Sequence, residues 1–231
     1  MKRWLILLCA VILLCSLTGC NRFVRIDPTP MVHITYSAAE GESLTDAELK
    51  QCATILEQRL TAIAISDFKI SPDCEKGTLE VDVPRSHYPG NLTKMADNWG
   101  SKGVLTICID EESGDPPLPP AGVILTDYDV VSAEAVSDEN GLGVRLTFTE
   151  EGAEILSNTT KRLAVNNDAL SIWMDWQIVS TAQVMQPITE GEALVTGFAS
   201  WESASLFAAK LNYSRMPCDL IASVDFSDAG E

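Results

Sequence analysis

The stretch that decides the fold of the first half is residues 45–63, TDAELKQCATILEQRLTAI. It begins with Thr45-Asp46-Ala47-Glu48, in which a threonine and a glutamate have the spacing of a helix capping box. The apolar residues that follow recur every three or four positions, so they lie on one face of a helix: Leu49, Cys52, Leu56, Leu60 and Ile63. The stretch therefore predicts an amphipathic helix that packs through this face.

Strands and a second helix are predicted on both sides of this helix. An alternating strand at 32–36 precedes it, and further strands at 68–70 and 79–83 follow it. Residues 91–99 predict a weaker helix, and the nearly continuous apolar run 104–109 predicts another strand. The order β-α-β-β-α-β predicts a ferredoxin-like base over residues 31–110, which is an open-faced sheet with two helices on one side.

A second α+β unit is predicted after a change in composition. Residues 111–122 are rich in proline and acidic residues and predict a linker. Residues 123–217 contain strands joined by turn signals such as Asp138-Glu139-Asn140-Gly141, together with helices that follow capping residues. Residues 218–231 predict a last strand and a polar tail. The predicted fold class is therefore α+β, a ferredoxin-like base followed by a second α+β unit.

The amino-terminal residues predict export. Two basic residues precede an uncharged run at 4–17, and a helix rising about 1.5 Å per residue would here be too short for the roughly 30 Å hydrocarbon core. The pattern is typical of a secretory signal peptide at 1–19, and Leu17-Thr18-Gly19-Cys20 resembles the bacterial lipobox. That resemblance implies a lipidated Cys20, a tether at 20–30 and a protein anchored in the cell membrane on its extracytoplasmic side. An ordinary signal peptide or a short anchor is the alternative.

The composition limits the classes of function. Of 231 residues 46% are hydrophobic, and 33 acidic against 16 basic residues give a formal net charge of −17. This charge argues against binding to nucleic acid and against a polybasic contact with an anionic membrane. The cysteine spacing matches no zinc-binding pattern, so we expect no metal and no cofactor. The pairing of the four cysteines that remain after lipidation is left open: Cys52, Cys74, Cys108 and Cys218.

The order and spacing of several motifs resemble one protein family. In the first half they are a helix with an internal arginine, a strand that ends in proline and the strand after it: residues 56–65, 79–84 and 103–107. In the second half they are an opening segment, a strand-to-helix junction, a strand that ends at a turn, and the last segments: residues 125–133, 146–153, 171–176, 188–204 and 216–217. Together they resemble the first extracytoplasmic domain of SecD, a subunit of the bacterial protein-export machinery, with its base and its head subdomain.

Departures from the family pattern indicate a divergent member. Trp176 stands where the family has a glycine after a turn aspartate, and Gln183 stands near a usual proline. Ala64 replaces a glycine of the base, and 213–215 replace a small, glycine-containing segment. The membrane-spanning helices through which SecD uses proton flow have no counterpart in this sequence. The resemblance therefore implies a binding module without its own proton-driven motor.

Candidate polypeptide-binding residues follow from the resemblance to the head subdomain. Trp173 and Trp176 flank Asp175 near a predicted turn, so we expect at least one indole to be exposed and to contact polypeptide. Core packing of these tryptophans is the alternative, and Asp175 is expected to be a turn residue. Gln183 and Phe198 are further candidates on the head.

The charged side chains favour structural roles over catalysis. Glu150 and Glu151 are neighbours in the first turn of a predicted helix, where acidic residues are favoured by the helix dipole. The histidines lie near no nucleophile motif, so we expect no enzymatic activity. Arg59 lies beside the apolar face of the first helix and is expected to pair with Glu48 or with another acidic residue.

Two functions agree with these expectations. In the first, a lipid-anchored module contacts emerging polypeptides or translocon subunits outside the membrane, through an apolar groove or a free sheet edge. In the second, the same fold serves as a general cell-envelope interaction or assembly lipoprotein unrelated to export. Neither function involves nucleic acid.

Overall fold

The structure, a computed structural model, describes residues 30–85, 91–110, 122–138 and 141–225. The elements in chain order are β1 Met31–Ala38, α1 Asp46–Ala62, β2 Lys69–Asp73, β3 Thr78–Pro84, α2 Leu92–Gly100, β4 Leu105–Asp110, β5 Val123–Thr126, β6 Val130–Asp138, β7 Gly141–Phe148, α3 Glu150–Leu163, β8 Ala169–Met174, β9 Gln177–Gln183, β10 Glu192–Thr196, α4 Trp201–Asn212 and β11 Leu220–Asp225. The predicted signal peptide, Cys20 and almost all of the predicted tether and linker lie outside the described residues. None of the helices in the described ranges combines the length and the apolar character needed to cross a bilayer.

The first lobe is a four-stranded antiparallel sheet with α1 and α2 packed on one face. Its strand order is β11-β1-β3-β2, in which β3 lies between β1 and β2 as in a split β-α-β unit. Alternate residues of β1 and β3 face the helices and are buried: Val32, Ile34, Tyr36, Leu79, Val81 and Val83. We call this lobe the base, and its architecture confirms the predicted α+β class.

The start of α1 is fixed by the predicted capping box. The Thr45 hydroxyl accepts a hydrogen bond from the Glu48 N–H at 3.3 Å, and the Glu48 carboxylate accepts one from the Thr45 N–H at 2.9 Å. These contacts satisfy donors that the first helical turn leaves without an internal partner. The predicted apolar face of α1 is buried in the base: Leu49, Cys52, Leu56, Leu60 and Ile63.

The strand β4 lies in a different sheet from the one predicted. It pairs with β5 and β8, while β11 takes the fourth position of the base sheet beside β1. Burial explains this exchange, because consecutive residues Leu105 to Cys108 are buried and a strand buried on both faces suits the centre of a covered sheet. The strand β11 instead alternates between buried and exposed residues over most of its length. The predicted place of β4 in the base is therefore wrong.

The second lobe is inserted between α2 and β11 of the base. It contains a three-stranded sheet, β10-β7-β6, and a four-stranded sheet, β5-β4-β8-β9. These sheets enclose a second core with α3 and α4, whose members include Leu146, Leu156 and Phe207. The helix α4 packs on β6 and also contacts α1 of the base. We call this inserted lobe the head.

The four cysteines whose pairing the sequence left open form no disulfide with one another: Cys52, Cys74, Cys108 and Cys218. Three of them are buried, and burial raises the pKa of the Cys52 thiol to about 12. A buried thiol with a raised pKa is inert and packs as a small apolar group.

Candidate functional site

The chain crosses between the lobes twice, at residues 101–104 after α2 and at residues 213–219 after α4. The crossings are bonded to each other, because Met216 N–H donates to the Lys102 carbonyl at 3.2 Å. The Asp219 carboxylate also accepts from the Lys102 N–H at 2.7 Å. We use the term joint for these two crossings together with three charged side chains around them, the buried Arg59 and Lys210 and the largely buried Asp175.

Asp175 connects the head to the first crossing. Its carboxylate accepts hydrogen bonds from the backbone N–H groups of Gly103 and Val104, at 2.7 and 2.8 Å, and from the Ser101 hydroxyl at 2.8 Å. It also forms an ion pair with Lys210 Nζ at 3.0 Å. Burial opposes the charge on Asp175, but Lys210 and the hydrogen-bond donors outweigh burial and hold its pKa below the ordinary value.

Lys210 is a buried residue of α4, and its ammonium group donates hydrogen bonds into the joint from the head side. Its side chain is 3% exposed, and Nζ donates to Asn98 Oδ1 at 2.8 Å and to Ser101 Oγ at 2.6 Å as well as to Asp175. Burial lowers the pKa of Lys210 against the opposing effect of Asp175. A buried ammonium has three donors to satisfy, and here each has an acceptor.

Arg59 lies under the same crossing on the base side and is fully buried. Its guanidinium donates to the carbonyls of Trp99, Ser101 and Lys102 at 2.7, 2.6 and 3.2 Å, and burial lowers its pKa to about 10. The predicted pairing with Glu48 is wrong, because Glu48 caps the opposite end of α1. Arg59 instead satisfies carbonyls at the end of α2, which lack partners inside that helix.

The turn between β8 and β9 places an aromatic ring next to the joint. Asp175 and Trp176 form a two-residue turn with φ of +51° and +63°, the left-handed region that hairpin turns of type I′ require. Glycine adopts this conformation without strain, whereas this chain has a tryptophan at the second position. The Trp176 side chain is 55% exposed.

A cleft of about 870 Å³ opens beside the joint between the base and the head. Apolar side chains from both lobes line it: Met95 and Ile221 from the base, and Trp176, Ile178, Phe198 and Phe207 from the head. Polar side chains also line it, among them Asn91, Lys94 and Gln177. A concave and mainly apolar surface with a few polar groups is typical of a binding site.

The structure separates the four predicted binding residues. Trp176 and Phe198 line the cleft, and the Phe198 ring packs edge-to-face on Phe207 with centroids 5.3 Å apart. Trp173 is 4% exposed and its indole N–H donates to a buried serine hydroxyl, so it is a core residue that no polypeptide can reach. Gln183 lies outside the cleft lining and is exposed at the end of β9.

Sequence reasoning missed the joint. The sequence predicts Asp175 only as a turn residue and predicts no role for Lys210, since lysines of amphipathic helices are commonly solvated. One signal was available, because Lys210 follows the run Ala204 to Ala209, in which small and apolar residues surround the helix. A helix that is apolar all round is buried, and so is a lysine within it.

The inserted head, the joint and the cleft define a class of two-lobed α+β protein. A crystal structure of SecDF in a super-membrane-facing form has this fold, with a TM-score of 0.64 over 95% of this chain and 34% of that chain, at 23% identity. A structure of SecDF described as a membrane component that enhances protein export has a TM-score of 0.57 at 25% identity, over 83% of this chain and 97% of that chain. The fold of this chain is therefore one found in SecDF.

Sequence comparison finds similarity to the same proteins. Residues 106–218 match the SecDF, P1 head subdomain family. The match begins within β4, in agreement with the place of β4 in the head. The protein translocase subunit SecDF of Thermus thermophilus is 34% identical over 208 residues, 79% of this chain and 28% of that protein. The subunit SecD of Petrotoga mobilis is 30% identical over 112 residues, 48% of this chain and 22% of that protein. The chain thus spans about a quarter of the length of these relatives.

Proposed function

We propose that this protein is a lipid-anchored extracytoplasmic binding module that contacts polypeptides as they emerge during protein export, or the translocon that releases them. The anchor is the lipidated Cys20, and the binding surface is the cleft between the base and the head. The module holds a polypeptide and hinders its backward movement, without a proton-driven motor of its own. The proposal includes no catalytic step, no cofactor and no nucleic acid.

The observation that carries the proposal is a cluster of exposed apolar side chains in the cleft. Trp176, Ile178 and Ile221 are 55%, 53% and 51% exposed, and all three line the same cleft. Exposed apolar side chains that gather in a concavity mark binding surfaces more often than single exposed ones do. An unfolded polypeptide offers apolar side chains along its length, which such a cleft can bury.

The alternative is a cell-envelope assembly lipoprotein in which the fold has been reused without any link to export. The similarity to translocase subunits, which extends over most of this chain, favours the export role. The two functions differ in the partner that occupies the cleft, so partner capture separates them.

The test is photo-crosslinking in intact cells with probes at Trp176 and Phe198 in the cleft and at Gln183 on β9. A probe at Trp201 is the matched control, because this side chain is 52% exposed and lies outside the cleft lining. We expect the cleft probes to capture unfolded exported chains or translocon subunits and the Trp201 probe to capture neither. Capture of folded envelope proteins alone, or equal capture at Trp201, would overturn the export role.

A further inference from the structure

We infer that β9 is a strand-addition site, at which an extended segment of the bound polypeptide pairs with the free edge of the head sheet through backbone hydrogen bonds. The inference rests on the proposed function and deepens it, because it specifies how the polypeptide is held. It assigns the recognition to the backbone of the partner rather than to a particular sequence.

The strand β9 lies at the edge of the four-stranded sheet. It is hydrogen-bonded to β8 on one side, and within the described ranges no strand pairs with its other side. Three consecutive residues at its end, Thr181, Ala182 and Gln183, are exposed. Such an edge presents unpaired N–H and C=O groups that can template a further strand.

The register shows which backbone groups of β9 are free. Val184 N–H donates to the Asp168 carbonyl at 2.9 Å, so these two residues form a hydrogen-bonded pair just beyond the β8–β9 ladder. Bonded and non-bonded pairs alternate between antiparallel strands. Thr181 and Gln183, opposite Ser171 and Ala169, are therefore non-bonded pairs whose N–H and C=O groups point away from β8.

The outer part of the β9 edge, residues 180–183, lacks the charges and the proline that protect other edges of this protein. Residues 176–189 contain no charged side chain, although the chain has a formal net charge of −17. Most other edge strands contain a charged residue or a proline: Lys69, Pro72 and Asp73 in β2, Glu134 in β6, Glu192 in β10 and Asp225 in β11. The remaining edge strand, β5, has only four residues. Charges, proline, shortness and β-bulges are the usual protections against strand addition. The strand β9 has one register shift, at Val179 opposite Ile172 and Trp173, and its regular segment at residues 180–183 carries no charge and no proline.

The chemistry of this edge fits an extended, uncharged polypeptide segment. Backbone groups spaced two residues apart pair with any non-proline sequence that can extend, which suits a chain held before it folds. The edge is also continuous with the cleft, because Gln177, Ile178 and Val179 of β9 line it. A segment paired with β9 can therefore continue into the apolar surface around Trp176.

The experiment uses the full chain and a fluorescent peptide as long as β9, with alternating threonine and valine. N-methylation of every second amide leaves this probe peptide with one hydrogen-bonding edge and prevents it from forming sheets with itself. The control peptide has the same side chains but is N-methylated at every amide. We expect the probe peptide to bind at least about tenfold more tightly than the control peptide. The control peptide cannot donate backbone hydrogen bonds to β9, and each bond that it fails to form has a modest but additive cost.

A pair of protein variants locates the site. Thr181→Pro removes a free N–H from the edge but no hydrogen bond to β8, and we expect it to weaken binding of the probe peptide by about tenfold. Thr181→Val keeps the N–H and should bind as the unchanged chain does. The urea unfolding midpoint of each variant checks that it folds. If Thr181→Pro lowers this midpoint, the binding of the probe and control peptides to the unchanged chain decides the result.

Each contrary outcome has a distinct meaning. Equal binding of both peptides, with binding lost in Trp176→Ser, overturns strand addition but leaves cleft binding intact. If the chain binds neither peptide and also fails to bind a reduced and alkylated unfolded protein, the proposed function itself is overturned. A dimer in sedimentation experiments that Thr181→Pro dissociates, with no peptide bound, assigns the edge to a second copy of the chain and overturns the inference.

Discussion

Lys210 and Asp175 come from different elements of the head and meet at the crossing from the base, with Nζ and Oδ2 3.0 Å apart. Their side chains are 3% and 15% exposed, so each loses most of its hydration. The pair is retained because Ser101, Gly103 and Val104 donate to the carboxylate and two further acceptors satisfy the ammonium. Removing one partner leaves the other charge largely buried without its counter-charge.

At this scale we predict that Lys210→Met lowers the free energy of unfolding by about 3–5 kcal/mol, the usual cost of a broken buried ion pair. Lys161→Met is the control, because Lys161 is exposed on α3, and it should change the free energy by less than about 0.5 kcal/mol. Urea denaturation of both variants measures the difference. Similar free energies for the two variants would show that Lys210 does not stabilise the joint.

His33 of β1 contacts two carboxylates of β3 on the face of the base sheet that is turned away from the helices. Its ring nitrogens lie 2.8 Å from Asp82 Oδ1 and 2.8 Å from Glu80 Oε2. The hydrogen bond with Asp82 is the main reason that the pKa of His33 is raised above 6.5; burial opposes this effect and Glu80 adds to it. Burial raises the pKa of Glu80, but hydrogen bonds with Thr35, Thr78 and His33 outweigh burial and lower this pKa below its ordinary value.

The second prediction concerns the pH dependence of this cross-strand cluster. A pKa that is higher in the folded chain means that His33 stabilises the fold fully below pH 6.5, and this contribution is lost as the pH rises through the folded-state pKa. The difference in unfolding free energy between the unchanged chain and His33→Gln should therefore shrink above that pH. An NMR titration of the imidazole checks the pKa directly.

Glu80→Gln supplies the matched control for this titration. It removes one carboxylate from His33 while keeping the shape of the side chain, so the imidazole midpoint should fall toward its ordinary value. A midpoint that stays the same in Glu80→Gln, or lies below 6.5 in the unchanged chain, would contradict the predicted role of His33.

The whole molecule has a discontinuous base, because its last strand follows the inserted head. The strand β11 pairs with β1 from His33–Asp225 to Ala38–Leu220, and Leu220 contributes to the core of the base. The last residue of α2 fits closely against it, since a Cβ built on Gly100 would lie 2.9 Å from Leu220 Cβ. The base is therefore complete only after the chain has passed through the head.

The third prediction follows from this topology. A chain that ends at Pro217 lacks β11, which exposes one edge of β1 and removes Leu220 from its place against Gly100, so we expect the base to lose its cooperative unfolding transition. A chain that ends at Asp225 keeps β11 and the other strands of the described ranges, and it should unfold as the full chain does. Hydrogen exchange of β1 and β3 amides measures the effect. Strong protection of these amides in the shorter chain would show that β11 is dispensable.

The sequence by itself determined the local elements and the class of the fold. The capping residues Thr45, Thr149 and Ser200 begin helices in the structure, because a cap depends on residues within one turn. The alternating strands of the base were predicted for a similar reason, since a two-residue period fixes which side chains face the core. The resemblance to SecD also came from local motifs, and the family match over residues 106–218 supports it.

Only the tertiary structure decided which sheet each strand joins and which charges meet. The exchange of β4 and β11 depends on pairing across the whole head, and no local pattern specifies a partner so far along the chain. Trp173 and Trp176 are three residues apart, yet one is buried and the other lines the cleft, because the turn between them reverses the chain. Lys210 meets Asn98 and Ser101 only when both lobes are packed, and it meets Asp175 only when α4 and the turn between β8 and β9 pack within the head. Burial and long-range contacts are properties of the assembled chain, so the joint and the free edge of β9 could be found only there.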